Sequence, residues 1–219
     1  MVKLKIFSLI KLEYYIKMKN ILITGAAGFI GSHVFDLLVE RFPESNITVV
    51  DKMTYAASHM NIPLCFNNDA KYNLIVGDLS DYEFTMDIVK GMNLVVHLAA
   101  ESHVSRSFDN SLQFSKSNVL GTHALIEACR LHEIERIIHV STDEVYGEKA
   151  KGCFVETDAL SPTNPYSATK AAGDMIINSY IKSFSAPIIT VRANNIYGTR
   201  QYPEKIIPSL YYVLFMACL

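Results

Sequence analysis

Tyr166 and Lys170 stand four residues apart in Tyr-Ser-Ala-Thr-Lys, directly after Asn164-Pro165. On a helix this spacing sends both side chains out of one face, and a proline in the first turn favours a helix start. An ammonium beside a phenol stabilises the phenolate, which makes Tyr166 a candidate base. A second cluster is Thr142-Asp143-Glu144, a hydroxyl followed by two adjacent carboxylates. Paired carboxylates divide acid and base work when their surroundings separate their pKa values. The plain alternative is a surface turn in which Asp143 caps a helix.

A third element is Gly25-Ala-Ala-Gly28-Phe29-Ile30-Gly31, with glycines spaced G-x-x-G-x-x-G between an apolar run and a helical pattern. Glycines let the backbone approach a pyrophosphate, and a helix N-terminus favours anions. Twenty residues beyond Gly31 stands Asp51, placed to accept hydrogen bonds from an adenosine ribose and to repel a 2′-phosphate. NAD is therefore expected over NADP; Lys52 weakens that preference, and an ordinary turn role for Asp51 stays open. Asp78, in Gly77-Asp78-Leu79, suits the adenine amine or a helix N-cap. With an oxidised nicotinamide nearby, its positive ring would further stabilise the Tyr166 phenolate. Small residues in His97-Leu98-Ala99-Ala100-Glu101-Ser102-His103 would let a cofactor lie against the backbone, while His97 itself reads as packing. The histidines show no metal-binding spacing, so no metal is expected.

The elements that must position these groups alternate in type. Short β-branched runs at 21–24, 47–51, 73–76, 94–98, 136–140 and 188–192 read as strands. Helical patterns fall near 30–41, 81–90, 111–131 and 163–184. This order predicts an α/β fold, a Rossmann-type doubly wound parallel sheet whose ligands bind beyond the carboxyl ends of the strands. The irregular stretch 147–165 is expected to be functional or to cover a site.

The chain has 219 residues and 20 Lys+Arg against 22 Asp+Glu, a net charge of −2 without long runs of one sign. That gives no footprint for nucleic acid or an anionic membrane and favours a small-molecule ligand. Cys65, Cys129, Cys153 and Cys218 form no C-x-x-C pair or dense disulfide pattern, which points to a reducing, cytoplasmic setting. In 1–17, charged residues leave no uncharged run longer than the five residues 6–10, too short for a signal sequence or a membrane span. The segment is expected to be a dispensable leader before Met18, or else an amphipathic surface segment.

Together these motifs resemble the extended short-chain dehydrogenase/reductase family, and within it the nucleotide-sugar 4,6-dehydratases acting on dTDP-glucose or UDP-glucose. The resemblance covers 18–208 and rests on 24–31, 97–104, 141–147, 162–170 and 194–208. It implies that Tyr166, held by Lys170, takes the 4-hydroxyl proton with Thr142 bonded to the same oxygen. Glu144 would remove the C5 proton and Asp143 would protonate the departing 6-hydroxyl. It implies NAD contacts at Gly25, Gly28, Phe29, Ile30, Gly31, Asp51, Lys52, Met53, Thr54, Asp78, Leu79, Leu98, Ala99, Ala100, Glu101, Ser102, Ser117, Tyr166, Lys170 and Ile196. Sugar-nucleotide contacts would come from Ser102, Thr142, Asn195, Lys205 and Ile206, the alternative for Lys205 being a plain surface loop. A homodimer through the helices near 111–131 and 163–184 is implied as well.

Ser105 and Thr199 depart from the residues usual in the family, Asp and Pro. The uncharged stretch 209–219 reads as the start of a further helix or as an aberrant ending, with much of the family's smaller substrate domain missing and the sugar pocket expected to be incomplete. Two other readings remain open: an epimerase or decarboxylase of the same fold, against which Asp143 argues, and a non-catalytic NAD-binding protein.

Overall fold

The computed structural model describes residues 18–67 and 69–217. Six parallel strands make one sheet: β1 (Asn20–Thr24), β2 (Asn46–Asp51), β3 (Tyr72–Val76), β4 (Leu94–His97), β5 (Arg136–Thr142) and β6 (Ile188–Ala193). Their spatial order is β3-β2-β1-β4-β5-β6, so the winding reverses between β1 and β4. This is the expected Rossmann-type doubly wound sheet, and the reversal is where such sheets open a crevice.

The strands are apolar on both sides because helices cover both faces. Ile21, Ile23, Val49 and Val96 enter one core, closed by Val34, Phe35 and Leu38 of α1 (Phe29–Arg41). Leu22, Val50, Val95 and Ile137 enter the other core, closed by Ile88 of α2 (Tyr82–Val89) and by later helices. Phe35 and Leu38 are fully buried, and truncating Leu38 to alanine would cost about 2 to 5 kcal/mol.

Between β4 and β5 the chain forms α3 (Val104–Asp109), α4 (Ser111–Phe114), a π-helical stretch (Ser115–Gly121) and α5 (Thr122–Leu131). The helix expected over 111–131 is continuous over those bounds, with its middle wound as a π-helix, and α3 had no counterpart in the sequence pattern. After β5, a 3₁₀ turn (Asp143–Tyr146) leads to a long loop and then α6 (Pro165–Phe184). Asn164 caps α6 with a capping box shared with Ser167, Pro165 occupies its first turn, and Ser185 ends it in the left-handed region at φ 54°. Last comes α7 (Ile206–Ala217), so the boundary expected after Pro208 falls inside a helix.

The loop 147–165 does not cover the site. Its Phe154 stacks on Tyr146 with ring centroids 5.1 Å apart, and Phe154 and Leu160 pack against Val145, Tyr146 and Ala171. It braces the 3₁₀ turn from behind. Asp78 caps no helix; the N-cap of α2 is Asp81, whose carboxylate accepts the Phe84 N–H. The expected leader 1–17 lies outside the described residues. Among the described residues no helix is long and apolar enough to cross a membrane.

Candidate active site

A cleft of about 330 Å³ opens over the carboxyl ends of the central strands. Its floor is the glycine loop. Gly25 takes φ +74°, and a Cβ there would lie 2.6 Å from the Ala99 nitrogen, so glycine is required where the tips of β1 and β4 meet. Gly28 is the N-cap of α1; no side chain caps this helix, and its first turn carries no acid. The free N–H groups of a 13-residue helix thus face the cleft, a seat for an anion such as a pyrophosphate.

Asp51 is turned inward. Its Oδ2 accepts the Ala27 N–H at 3.0 Å and its Oδ1 the Met53 N–H at 2.8 Å, so it holds the glycine loop as well as lining the cleft. Burial raises its pKa against the pull of those two bonds. Lys52 pairs with Asp78 at 2.8 Å. Burial pushes Asp78 up, but the Lys52 ammonium and bonds from Ser80 outweigh it and hold the carboxyl at about 2. Lys52 is held on Asp78, which Lys116 also approaches at 3.8 Å, and the inward Asp51 is the feature of the adenosine end that suits NAD.

Thr24 fastens the floor to the next wall. Its hydroxyl oxygen accepts the Leu98 and Ala99 N–H groups at 3.3 and 3.2 Å and sits 2.8 Å from His97 Nδ1. His97 Nε2 meets Thr122 Oγ1 at 3.1 Å, so this buried imidazole packs and bonds inside the sheet and stays out of the cleft. Glu101, in the same wall, is fixed through both its backbone groups by Asn118 of the π stretch.

The chemistry-bearing groups converge on the opposite wall. Thr142 ends β5; its hydroxyl accepts the Glu144 N–H and donates to Asp143 Oδ1, each at 3.3 Å. Asn164 Nδ2 donates to Glu144 Oε2 at 3.1 Å, so the residue that caps α6 also orients this carboxylate. Tyr166 and Lys170 project from α6, both buried, and Lys170 Nζ donates to the Val140 carbonyl at 2.8 Å. Burial pushes the Lys170 ammonium down to about 8. Burial and the charges of Glu144 and Asp143 push the Tyr166 phenol up to about 12, against a smaller opposing effect of the Thr142 hydroxyl. The protein groups by themselves therefore favour the protonated phenol at neutral pH, and the expected phenolate depends on the cationic nicotinamide as well as on Lys170.

One rim of the cleft is held by a cluster absent from the sequence reading. Glu204 accepts from Tyr55 Oη at 2.8 Å and pairs with Arg106 at 3.3 Å, and the Arg106 guanidinium lies 3.6 Å from the Tyr55 ring centre. Next to it, Lys205 Nζ reaches the Ser102 carbonyl at 3.2 Å, so Lys205 belongs to the cleft and not to a plain surface loop. Only the position of Glu204 beside Lys205 in Tyr202-Pro203-Glu204-Lys205 hinted at this role.

The expected site residues line the cleft with three exceptions. Met53 contributes its backbone N–H to Asp51, Asp143 accepts the Thr142 hydroxyl, and Ile206 begins α7 and is 75% exposed. Among the described residues no cluster of three or more His, Cys, Asp or Glu is arranged to hold a metal ion.

Comparison with known proteins agrees with this geometry. A trifunctional UDP-glucose 4,6-dehydratase/UDP-4-keto-6-deoxy-D-glucose 3,5-epimerase/UDP-4-keto-L-rhamnose-reductase of Arabidopsis thaliana is 46% identical over 198 residues, 88% of this chain and 30% of its own length. A dTDP-D-glucose 4,6-dehydratase of Dictyostelium discoideum is 43% identical over 204 residues, 87% of this chain and 47% of its own. Among solved structures, the dTDP-glucose 4,6-dehydratase of Streptomyces venezuelae with NAD and dTDP bound superposes with a TM-score of 0.85 at 36% identity. That match covers 90% of this chain and 62% of the other. The chain thus spans about a third to a half of these curated relatives. The sequence model of the GDP-mannose 4,6-dehydratase family matches residues 22–214, nearly the whole described fold, and the chain belongs to that family.

Proposed function

We propose that this chain carries the NAD-dependent catalytic unit of a nucleotide-sugar 4,6-dehydratase, over about 18–208, acting on dTDP-glucose or UDP-glucose. The observation that carries the reading is the convergence of Thr142, Glu144, Tyr166 and Lys170 on one wall of a cleft whose floor is an uncapped helix N-terminus. NAD fits that cleft by its glycine floor, its inward Asp51 and its small-residue wall; when bound it would accept hydride from C4 of the sugar and return it at C6.

The protein's own groups then have defined tasks. Tyr166, with a bound cationic nicotinamide to offset the charges of Glu144 and Asp143, would lose its proton to solvent and as phenolate take that of the 4-hydroxyl, while Thr142 bonds the same oxygen. The C4 carbonyl acidifies the C5 proton. Glu144, with one carboxylate oxygen held by Asn164, removes it. Asp143, in its protonated form, gives a proton to the 6-hydroxyl, the C6–O bond breaks, and water leaves. Asp143 must rotate away from Thr142 to do so. When hydride is returned at C6, Glu144 gives its proton back to C5. Lys205 and Ser102 are placed for the sugar nucleotide.

Two further features accompany this reading. The free thiols of Cys65, Cys129 and Cys153 suit a reducing, cytoplasmic setting. Leu112 and Met175, 81% and 66% exposed on α4 and α6, support a homodimer through these helices.

The test is mass spectrometry of sugar nucleotides after incubating the purified chain with NAD and either dTDP-glucose or UDP-glucose. Loss of one water is expected, and the preferred base is read from the same spectra. An unchanged spectrum from folded chain that binds NAD would overturn the dehydratase reading for this chain.

A further inference from the structure

Asp174 lies one helical turn beyond Lys170 and two beyond Tyr166, all on α6, and it is 4% exposed. Asp174, Arg192 and His139 do not line the cleft, whereas Lys170 and Ser141, which also act on Asp174, do. Its Oδ2 accepts from Arg192 Nε of β6 at 2.8 Å, and its Oδ1 lies 3.5 Å from His139 Nε2 of β5. Arg192 also donates to the Tyr146 hydroxyl at 2.5 Å, at the end of the turn that carries Asp143 and Glu144.

Lys170 is itself 4% exposed, and the hydrogen bond its ammonium makes among the described residues goes to the neutral Val140 carbonyl. A buried ammonium needs a counter-charge or it loses its proton. The titratable and charged groups around it are Tyr166 and Asp174 on α6, His97 on β4, His139 on β5 and, beyond Asp174, Arg192 on β6. Burial keeps both histidines neutral. Asp174 is left as the anion that opposes the desolvation of Lys170, and Arg192 shares that anion.

We propose that Asp174 is a positioning residue, the buried counter-ion that keeps Lys170 charged behind Tyr166, with Arg192 setting how much of its charge Lys170 feels. Its consequence for catalysis rests on the reading of Tyr166 and Lys170 as the proton-transfer pair. Its electrostatic content does not.

The test is a pH titration of Lys170 in the full chain carrying ¹³Cε-labelled lysine, followed by NMR, with the Lys170 resonance assigned as the one lost in Lys170→Met. The wild-type midpoint is expected near 8. Asp174→Asn should lower it by about one pH unit or more, and Asp174→Glu should restore most of the difference. Arg192→Gln should move it upward, because the carboxylate then acts unshared. Opposite directions cannot come from general loosening of the fold, which would drive both variants toward the ordinary lysine value. An unchanged midpoint in folded Asp174→Asn would overturn the proposal; should that variant not fold, an unchanged or lowered midpoint in Arg192→Gln would do so. Failure of the chain to dehydrate sugar nucleotides while these shifts appear would overturn the proposed function and leave the counter-ion standing.

Discussion

The side-chain amide of Asn118 pairs with both main-chain groups of Glu101: Oδ1 accepts its N–H at 2.9 Å and Nδ2 donates to its C=O at 3.0 Å. Nδ2 also reaches Thr169 Oγ1 at 2.9 Å, so one buried amide ties the cleft wall to α6. The π stretch Ser115–Gly121 sets Asn118 at this junction. Asn118→Leu leaves the Glu101 groups unpaired in a half-buried wall. We expect a loss of about 2 to 3 kcal/mol in urea unfolding, together with weaker NAD binding.

The glycines of the loop separate fold from binding. A Cβ at Gly31 would overlap the Gly25 carbonyl oxygen, whereas one at Gly28 would meet that oxygen at 3.4 Å, ordinary contact. Gly31→Ala should therefore lower stability by about 2 kcal/mol or more. Gly28→Ala should leave the unfolding midpoint nearly unchanged and weaken NAD binding about tenfold, because its methyl intrudes on the anion seat. Calorimetric titration with NAD and thermal unfolding of both variants check the contrast.

His97 and His139 face each other across β4 and β5 with ring centres 5.1 Å apart. Burial depresses both pKa values, well below the usual range for His97, where His139 and Lys170 add to it, and to about 4 for His139, where Lys170 adds to it and Asp174 opposes it. The unfolded chain takes up protons near pH 6.5 and the folded chain does so only at lower pH. Stability is therefore fully present above 6.5 and falls as the pH drops from 6.5 toward 4. From pH 7.5 to 5 the loss should be about 2 kcal/mol for His139 alone. Urea unfolding at the two pH values, with a smaller loss in His139→Gln, measures it.

Tyr166 and Glu144 serve separate steps in the proposed reaction, so their variants should stall at different points. Tyr166→Phe should show no reduced-cofactor absorbance on adding sugar nucleotide. Glu144→Gln should accumulate that absorbance, because oxidation proceeds and elimination does not, with turnover down about 10²- to 10⁴-fold. Rapid-mixing absorbance spectroscopy distinguishes the two; the same trace from both variants would refute the division of labour.

Much of this was legible in the chain itself. The strands expected at 47–51 and 188–192 are Asn46–Asp51 and Ile188–Ala193, and the helix expected over 163–184 is Pro165–Phe184. Strands buried on both faces write themselves as unbroken β-branched runs, and helix starts as Asn-Pro or glycine punctuation, signals that are local in sequence. The glycine loop, Asp51, Thr142, Glu144, Tyr166 and Lys170 could be placed around one cleft for the same reason, since each sits at a strand end or near a helix start that the pattern locates.

What the tertiary structure alone decided involves partners far apart in the chain. Asn118 sits in the π-wound middle of the helix at 111–131 and meets residues 101 and 169, and no periodicity announces an extra residue whose stabilising partner is elsewhere. Glu204 closes on Tyr55 and Arg106 where two loops meet α3, and Asp174 on Arg192 and His139 where α6 packs on the sheet. The loop 147–165 looked like a cover because irregularity carries no direction; its Phe154 turns toward Tyr146 and supports the turn from outside. The electrostatics of Tyr166 belong here too. Spacing supplies a lysine for its phenol, but burial and the Glu144 and Asp143 charges set the proton affinity, and these are properties of the folded cleft.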